Sequence, residues 1–198
     1  MGIRDEELLM LKTHPINVEM DSLYILALNV FTRMLGLTKI RYNRLSLTEK
    51  GTTKLKKLDD SDFFFEVLEA YAERFNWGFS DGYPGSWIIQ AGFGLSIHLV
   101  QKYGQEFRLA EFYADKYLKA FPTGLFDFPK EAYASSEELF KSAYILRVFE
   151  RFLKRFGFIE TTGNTFGRHD YTIKKTPLID DLISWKLAGD PGPISSLN

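Results

Sequence analysis

The chain has 198 residues, with 25 Lys+Arg against 26 Asp+Glu, 45% hydrophobic residues and no cysteine. Its 18 Phe and 10 Tyr exclude a disordered chain and point to a core built from large rings. The missing cysteine excludes a disulfide framework, thiolate catalysis and a Cys-based zinc site, and a net charge of −1 by itself argues against a dedicated nucleic-acid binder.

The N-terminal stretch MGIRDEELLMLKTHP carries early acids and no long apolar run, so it does not read as a signal peptide. Glu6 stands where myristoylation needs Ser or Thr. The apolar stretches 23–31 and 87–100 fall short of the roughly 18 residues that a membrane span needs. A soluble, cytoplasmic protein without a membrane partner is expected. Charge is unevenly distributed: residues 1–58 carry net +4, residues 59–139 net −8 and residues 140–198 net +3. Such segregation either biases orientation toward a polyanion or lets basic ends dock on an acidic middle.

In chain order, a short helix is expected over 5–12, then a break at Pro15. Asp21 is placed to cap a helix over 22–35, and Gly36 supplies its stop. The segment IRYNRLSL alternates about a turn at Tyr42-Asn43, and Thr48 opens the next helix. Ser61-Asp62 precedes a helical run with acids at Glu66, Glu69 and Glu73, which the Gly- and Pro-rich loop from Asn76 to Gly85 ends. Continuous helices are expected over 86–103 and 106–120, followed by an aromatic connection. Ser135 and Glu138 have capping-box spacing ahead of a helix over 136–156. On it, Ile145, Val148, Phe149, Phe152 and Phe156 share one face, and Arg147, Arg151, Lys154 and Arg155 fall largely on the other. Gly157 ends this helix, Tyr171 and Ile173 alternate in a strand, and Thr176-Pro177 starts a last helix to about Leu187. The tail 191–198 is expected to be flexible.

Two stretches, 26–58 and 144–185, therefore share one plan: an apolar helix, a glycine, a hairpin and a Thr-started helix. The segments GLTKIRYNRLSLTEKG and FGFIETTGNTFGRHDYTIKKTP resemble winged-helix (helix-turn-helix-like) proteins of bacteria. The resemblance rests on Gly36-Leu37 and on Leu47-Thr48-Glu49-Lys50-Gly51, and covers about a third of the chain. The second copy departs from it, with Lys174-Lys175-Thr176-Pro177 at the closing motif. The resemblance implies a mainly α protein with small β-hairpins, in which two winged-helix-like segments (1–60 and 135–190) flank a central acidic, aromatic-rich helical region (61–134), together forming one compact unit. It also implies a transcription regulator or an accessory factor of a mobile element.

Two sets of residues are candidates for function. Arg147, Arg151, Lys154 and Arg155 beside the second hairpin, with Lys39, Arg41 and Arg44 on the first, are candidates for contacting duplex DNA, by base reading or phosphate neutralisation. The competing readings are a solvated helix face and a hairpin charged against edge pairing. Trp77, Tyr83 and Trp87 in the central loop are candidates for a ligand or partner surface, against a loop folded onto its own core.

No enzymatic signal survives inspection. Gly92-Phe93-Gly94 has Ile97 where a dinucleotide fingerprint needs glycine. Asp59, Asp60 and Asp62 lack the glycine and distal Glu of a calcium loop. His14, His98 and His169 have no partner at metal-ligand spacing, and His98 reads as a core residue. The expectation is a non-enzymatic protein without metal or cofactor that binds duplex DNA; the alternative is a protein-interaction module, through a partner or self-association, with degenerate winged helices.

Overall fold

The computed structural model describes residues 23–56, 61–163 and 170–185. The expected helix over 5–12, the Asp21 cap, His14, Asp59, Asp60, His169 and the tail lie outside the described residues. The described residues are mainly helical, with two small antiparallel sheets among them.

Helix α1 (Leu23–Met34) buries Phe31 and is followed by buried Leu35. Strands β1 (Thr38–Arg41) and β2 (Arg44–Leu47) then pair antiparallel, with Arg41 opposite Arg44. Tyr42 and Asn43 close the hairpin at φ 51° and 58°, the left-handed pair that matches strand twist in a two-residue turn. Thr48 caps helix α2 (Glu49–Leu55) by accepting the Gly51 amide at 3.0 Å.

Helix α3 (Ser61–Glu73) leads through the central loop to α4 (Trp87–Ala91) and α5 (Phe93–Tyr103). The single helix expected over 86–103 is thus broken at Gly92. The Tyr117 hydroxyl donates to the Ile88 carbonyl at 2.6 Å and occupies the space that a side chain at residue 92 would need. A short strand β3 (Arg108–Leu109) precedes α6 (Ala110–Ala120), so the helix expected from residue 106 starts later. A 3₁₀ segment (Pro122–Asp127) connects to α7 (Ser136–Tyr144), which opens with the expected Ser135–Glu138 capping box.

The same helical rod continues with π winding over Ile145–Leu153. Strands β4 (Ile159–Thr162) and β5 (Thr172–Lys175) follow, and β5 lies between β4 and β3 in a three-stranded sheet. The base of the second hairpin is therefore joined to β3, and its Tyr171 and Ile173 are buried. Helix α8 (Pro177–Leu182) is the last element among the described residues and stops short of the expected Leu187.

The two repeated segments close with matching hydrogen bonds. Gly36 and Gly157 take φ +70° and +74°, and the next residue's amide reaches back five residues, Leu37 to Thr32 and Phe158 to Leu153, each at 2.9 Å. Thr48 and Thr176 donate their hydroxyls to the carbonyls of Gly36 and Gly157, each at 2.6 Å. Their amides donate to Leu37 and Phe158, each at 3.0 Å. The same offset carries Phe31 onto Phe152, Leu35 onto Phe156 and Asn29 onto Glu150, all of them buried.

One aromatic core joins the three sequence segments. Tyr71 of α3 touches Phe31 edge-on at 5.2 Å and stacks on Phe152 at 6.3 Å. Trp77 stacks on Phe152 at 4.4 Å. Ring pairs of this kind are worth about 0.5–1.5 kcal/mol beyond their area burial.

Candidate nucleic-acid interface

The register of the first hairpin sorts its side chains. Lys39 faces Ser46 and Arg41 faces Arg44, so the three basic residues share one side of the ribbon. Ile40 faces Leu45 and Thr38 faces Leu47 on the other side. All of β2 and most of β1 are exposed, and Tyr42 at the tip is 85% exposed. The hairpin is thus a projecting ribbon with a basic side and an apolar one.

Lys39, Arg41 and Arg44 make no ion pair among the described residues; the Arg41 guanidinium lies 5.2 Å from the centre of the Tyr42 ring. The bases on α2 differ. Lys50 and Lys54 both reach Glu66 of α3, at 2.7 and 2.9 Å, and these two hydrogen bonds hold the Glu66 carboxyl below its ordinary pKa. Lys50 also donates to the Leu35 carbonyl at 3.0 Å and so caps the end of α1.

The second basic cluster is placed otherwise than the sequence led us to expect. Arg147 is 3% exposed, so it does not lie on a solvated helix face. Its guanidinium binds both oxygens of Asp81 at 2.7 and 3.1 Å and the Pro84 carbonyl at 2.8 Å. Arg151 donates to the carbonyls of Trp77 and Phe79 at 2.9 and 2.7 Å, and burial lowers its pKa. Lys154 pairs with the buried Glu150, which also accepts the Tyr171 hydroxyl. Arg155 packs over the Tyr24 ring. The π winding and the central loop together explain the difference: Arg147, Val148, Phe149 and Glu150 are all buried in succession, so this stretch has no wet side.

The central-loop aromatics divide as well. Trp77, Tyr83 and Trp87 all line one open cavity of about 920 Å³. Trp77 is fully buried, with its indole nitrogen donating to the Tyr71 carbonyl at 2.8 Å, so its ring belongs to the core and not to a contact surface. Tyr83 is half-buried, and Trp87 stands 74% exposed. Searches against protein-family models, characterised proteins and solved structures give no match to this chain.

His98, expected in the core, is exposed and meets Trp185 edge-on at 5.8 Å. Among the described residues no three His, Cys, Asp or Glu side chains come together as a metal site would need, and no helix is long and apolar enough to cross a membrane. Sequence reasoning placed Tyr42 in the turn and Leu45 and Leu47 in an alternating strand, but gave neither them nor Ile40 a contact role. The alternation from residue 38 to 47 carried that signal. It also missed Asp81, which nothing local marks as the partner of Arg147.

Proposed function

We propose that the protein binds duplex DNA through the first hairpin, as a non-enzymatic regulator or accessory factor. The observation that carries this reading is the side of the ribbon where Lys39, Arg41 and Arg44 lie together, exposed and without an acidic partner among the described residues. Such a wing neutralises phosphates and sets orientation without reading bases. The sheet order β3-β5-β4, with β3 between α5 and α6, supports reading the C-terminal half as a winged-helix-like scaffold. Its arginines serve that scaffold, which leaves DNA contact to the first segment.

A second reading, a protein-interaction module, is favoured by the opposite side of the same ribbon, where Ile40, Leu45 and Leu47 are each about half exposed. The two readings separate in one titration of a labelled random duplex. Three phosphate contacts give a salt slope of about −2.7, hence roughly a 40-fold loss of affinity between about 50 and 200 mM salt. DNA binding predicts that slope, its loss in K39E/R41E/R44E and its retention in I40S/L45S. Flat traces at low salt, with a concentration-dependent mass that I40S/L45S abolishes, would replace it with the interaction reading.

A further inference from the structure

A second cavity, of about 420 Å³, adjoins the first, sharing Ala72, Glu73 and Phe93 with it, and lies between α3, α5, the π segment and the C-terminal strap that ends at Trp185. Its volume lies in the range of small-ligand sites. Ile97, Phe152 and Phe158, all buried, form its apolar floor. Phe65, Phe93 and Trp185 stand around it, with Phe65 and Trp185 roughly half exposed.

The strap is held in place by long-range bonds. Gln101 donates to the carbonyls of Ile179 and Ile183 at 3.3 and 2.9 Å and accepts the Trp185 indole N–H at 2.5 Å. The Trp185 ring lies over Gly94 and against His98. An indole fixed at both its nitrogen and its ring edge is a preformed wall, which lowers the ordering cost of binding.

The polar lining has a single sign. Glu69 and Glu73, one turn apart on α3, are the charged residues of the cavity, and neither has a basic partner among the described residues. Their neighbour Glu66 shows the contrast, since it takes both Lys50 and Lys54. Like charges at this spacing repel, and a bound cation would relieve them. Aromatic faces beside carboxylates favour an ammonium group, and the floor favours hydrocarbon.

We infer that this cavity binds a small organic cation with an apolar body, such as an aryl-alkyl amine, its ammonium at Glu69 and Glu73 and its body on Ile97, Phe152 and Phe158. The site is independent of the DNA reading and involves none of the hairpin residues.

The test titrates the full chain with 4-phenylbutylamine, 4-phenylbutanol and 4-phenylbutyrate, following the indole N–H resonances. The Trp185 signal is assigned by its loss in Trp185→Phe. The amine should shift that signal saturably and bind roughly fivefold tighter than the alcohol, with the carboxylate weakest, the scale expected of exposed charge pairs and cation–π contacts. In E69Q/E73Q, two exposed positions whose change leaves the core intact, amine and alcohol should bind alike. Equal affinities for the three compounds in the unmodified protein, no saturable shift, or a shift confined to Trp87 would each overturn the inference.

Discussion

Arg147 and Asp81, 66 residues apart in sequence, form a bidentate ion pair in which the arginine is 3% and the aspartate 0% exposed at the side chain. This pair fastens the central loop to the π segment, with Arg151 adding two bonds to the carbonyls of Trp77 and Phe79. Charge that reads as a DNA-facing stripe along one helix is here structural. Asp81→Asn leaves a buried guanidinium half-matched, and Arg147→Met leaves a buried carboxylate. Each should cost about 3–5 kcal/mol in urea unfolding, and the double R147M/D81N far less than the sum. Additive losses in the double variant would show that the two groups do not act as a pair.

Gly51 is the last residue of the motif that carries the winged-helix resemblance, and the structure supplies a steric reason for it. A Cβ at that position would stand 2.1 Å from the Leu37 carbonyl oxygen, which is backbone and accepts the Thr48 amide. Gly51→Ala should therefore push α2 off the hairpin base, at about 1–3 kcal/mol, with amide shifts at Leu37 and Thr48. An alanine variant as stable as the original protein would contradict the close approach.

The basic residues should differ in their effect on DNA affinity. Arg41→Gln or Arg44→Gln should each reduce the salt slope by about one. Lys154→Gln should leave it unchanged, because that ammonium is held 2.9 Å from Glu150. Equal effects at positions 41 and 154 would place the contact surface elsewhere.

The Lys50–Glu66–Lys54 bridge ties α2 to α3 and should make this junction acid-sensitive. Folding lowers the Glu66 pKa from its ordinary 4.5, mainly through the hydrogen bonds from Lys50 and then Lys54. The folded state therefore binds fewer protons, so the bridge contributes fully above pH 4.5 and fades as pH falls through the lowered value. The Tm difference between the original protein and Glu66→Gln should be constant near neutrality and shrink below pH 4.5, as the carboxyl takes up its proton first in the unfolded chain and then, at the lowered value, in the folded one. The effect should be small, because the side chain is 30% exposed. A difference unchanged down to pH 3 would remove the bridge from the account.

Amino-acid sequence alone determined those features whose partners lie within one turn or one hairpin. The stops at Gly36 and Gly157, the Tyr42-Asn43 turn and the Thr48 and Ser135 caps each satisfy a backbone group a few residues away. The shared plan of the two segments was legible for the same reason, since Thr48 and Thr176 close onto Gly36 and Gly157 by local bonds. Tertiary structure alone decided the close approach at Gly92, where the hydroxyl of Tyr117 fills the space of a side chain. It decided that β5 pairs with β3 as well as β4, with Tyr171 and Ile173 buried. It also decided the fate of the charges. A basic residue on a helix is read as solvated until a distant acid neutralises it, and only the folded chain brings Asp81 to Arg147 while leaving Lys39, Arg41 and Arg44 facing solvent.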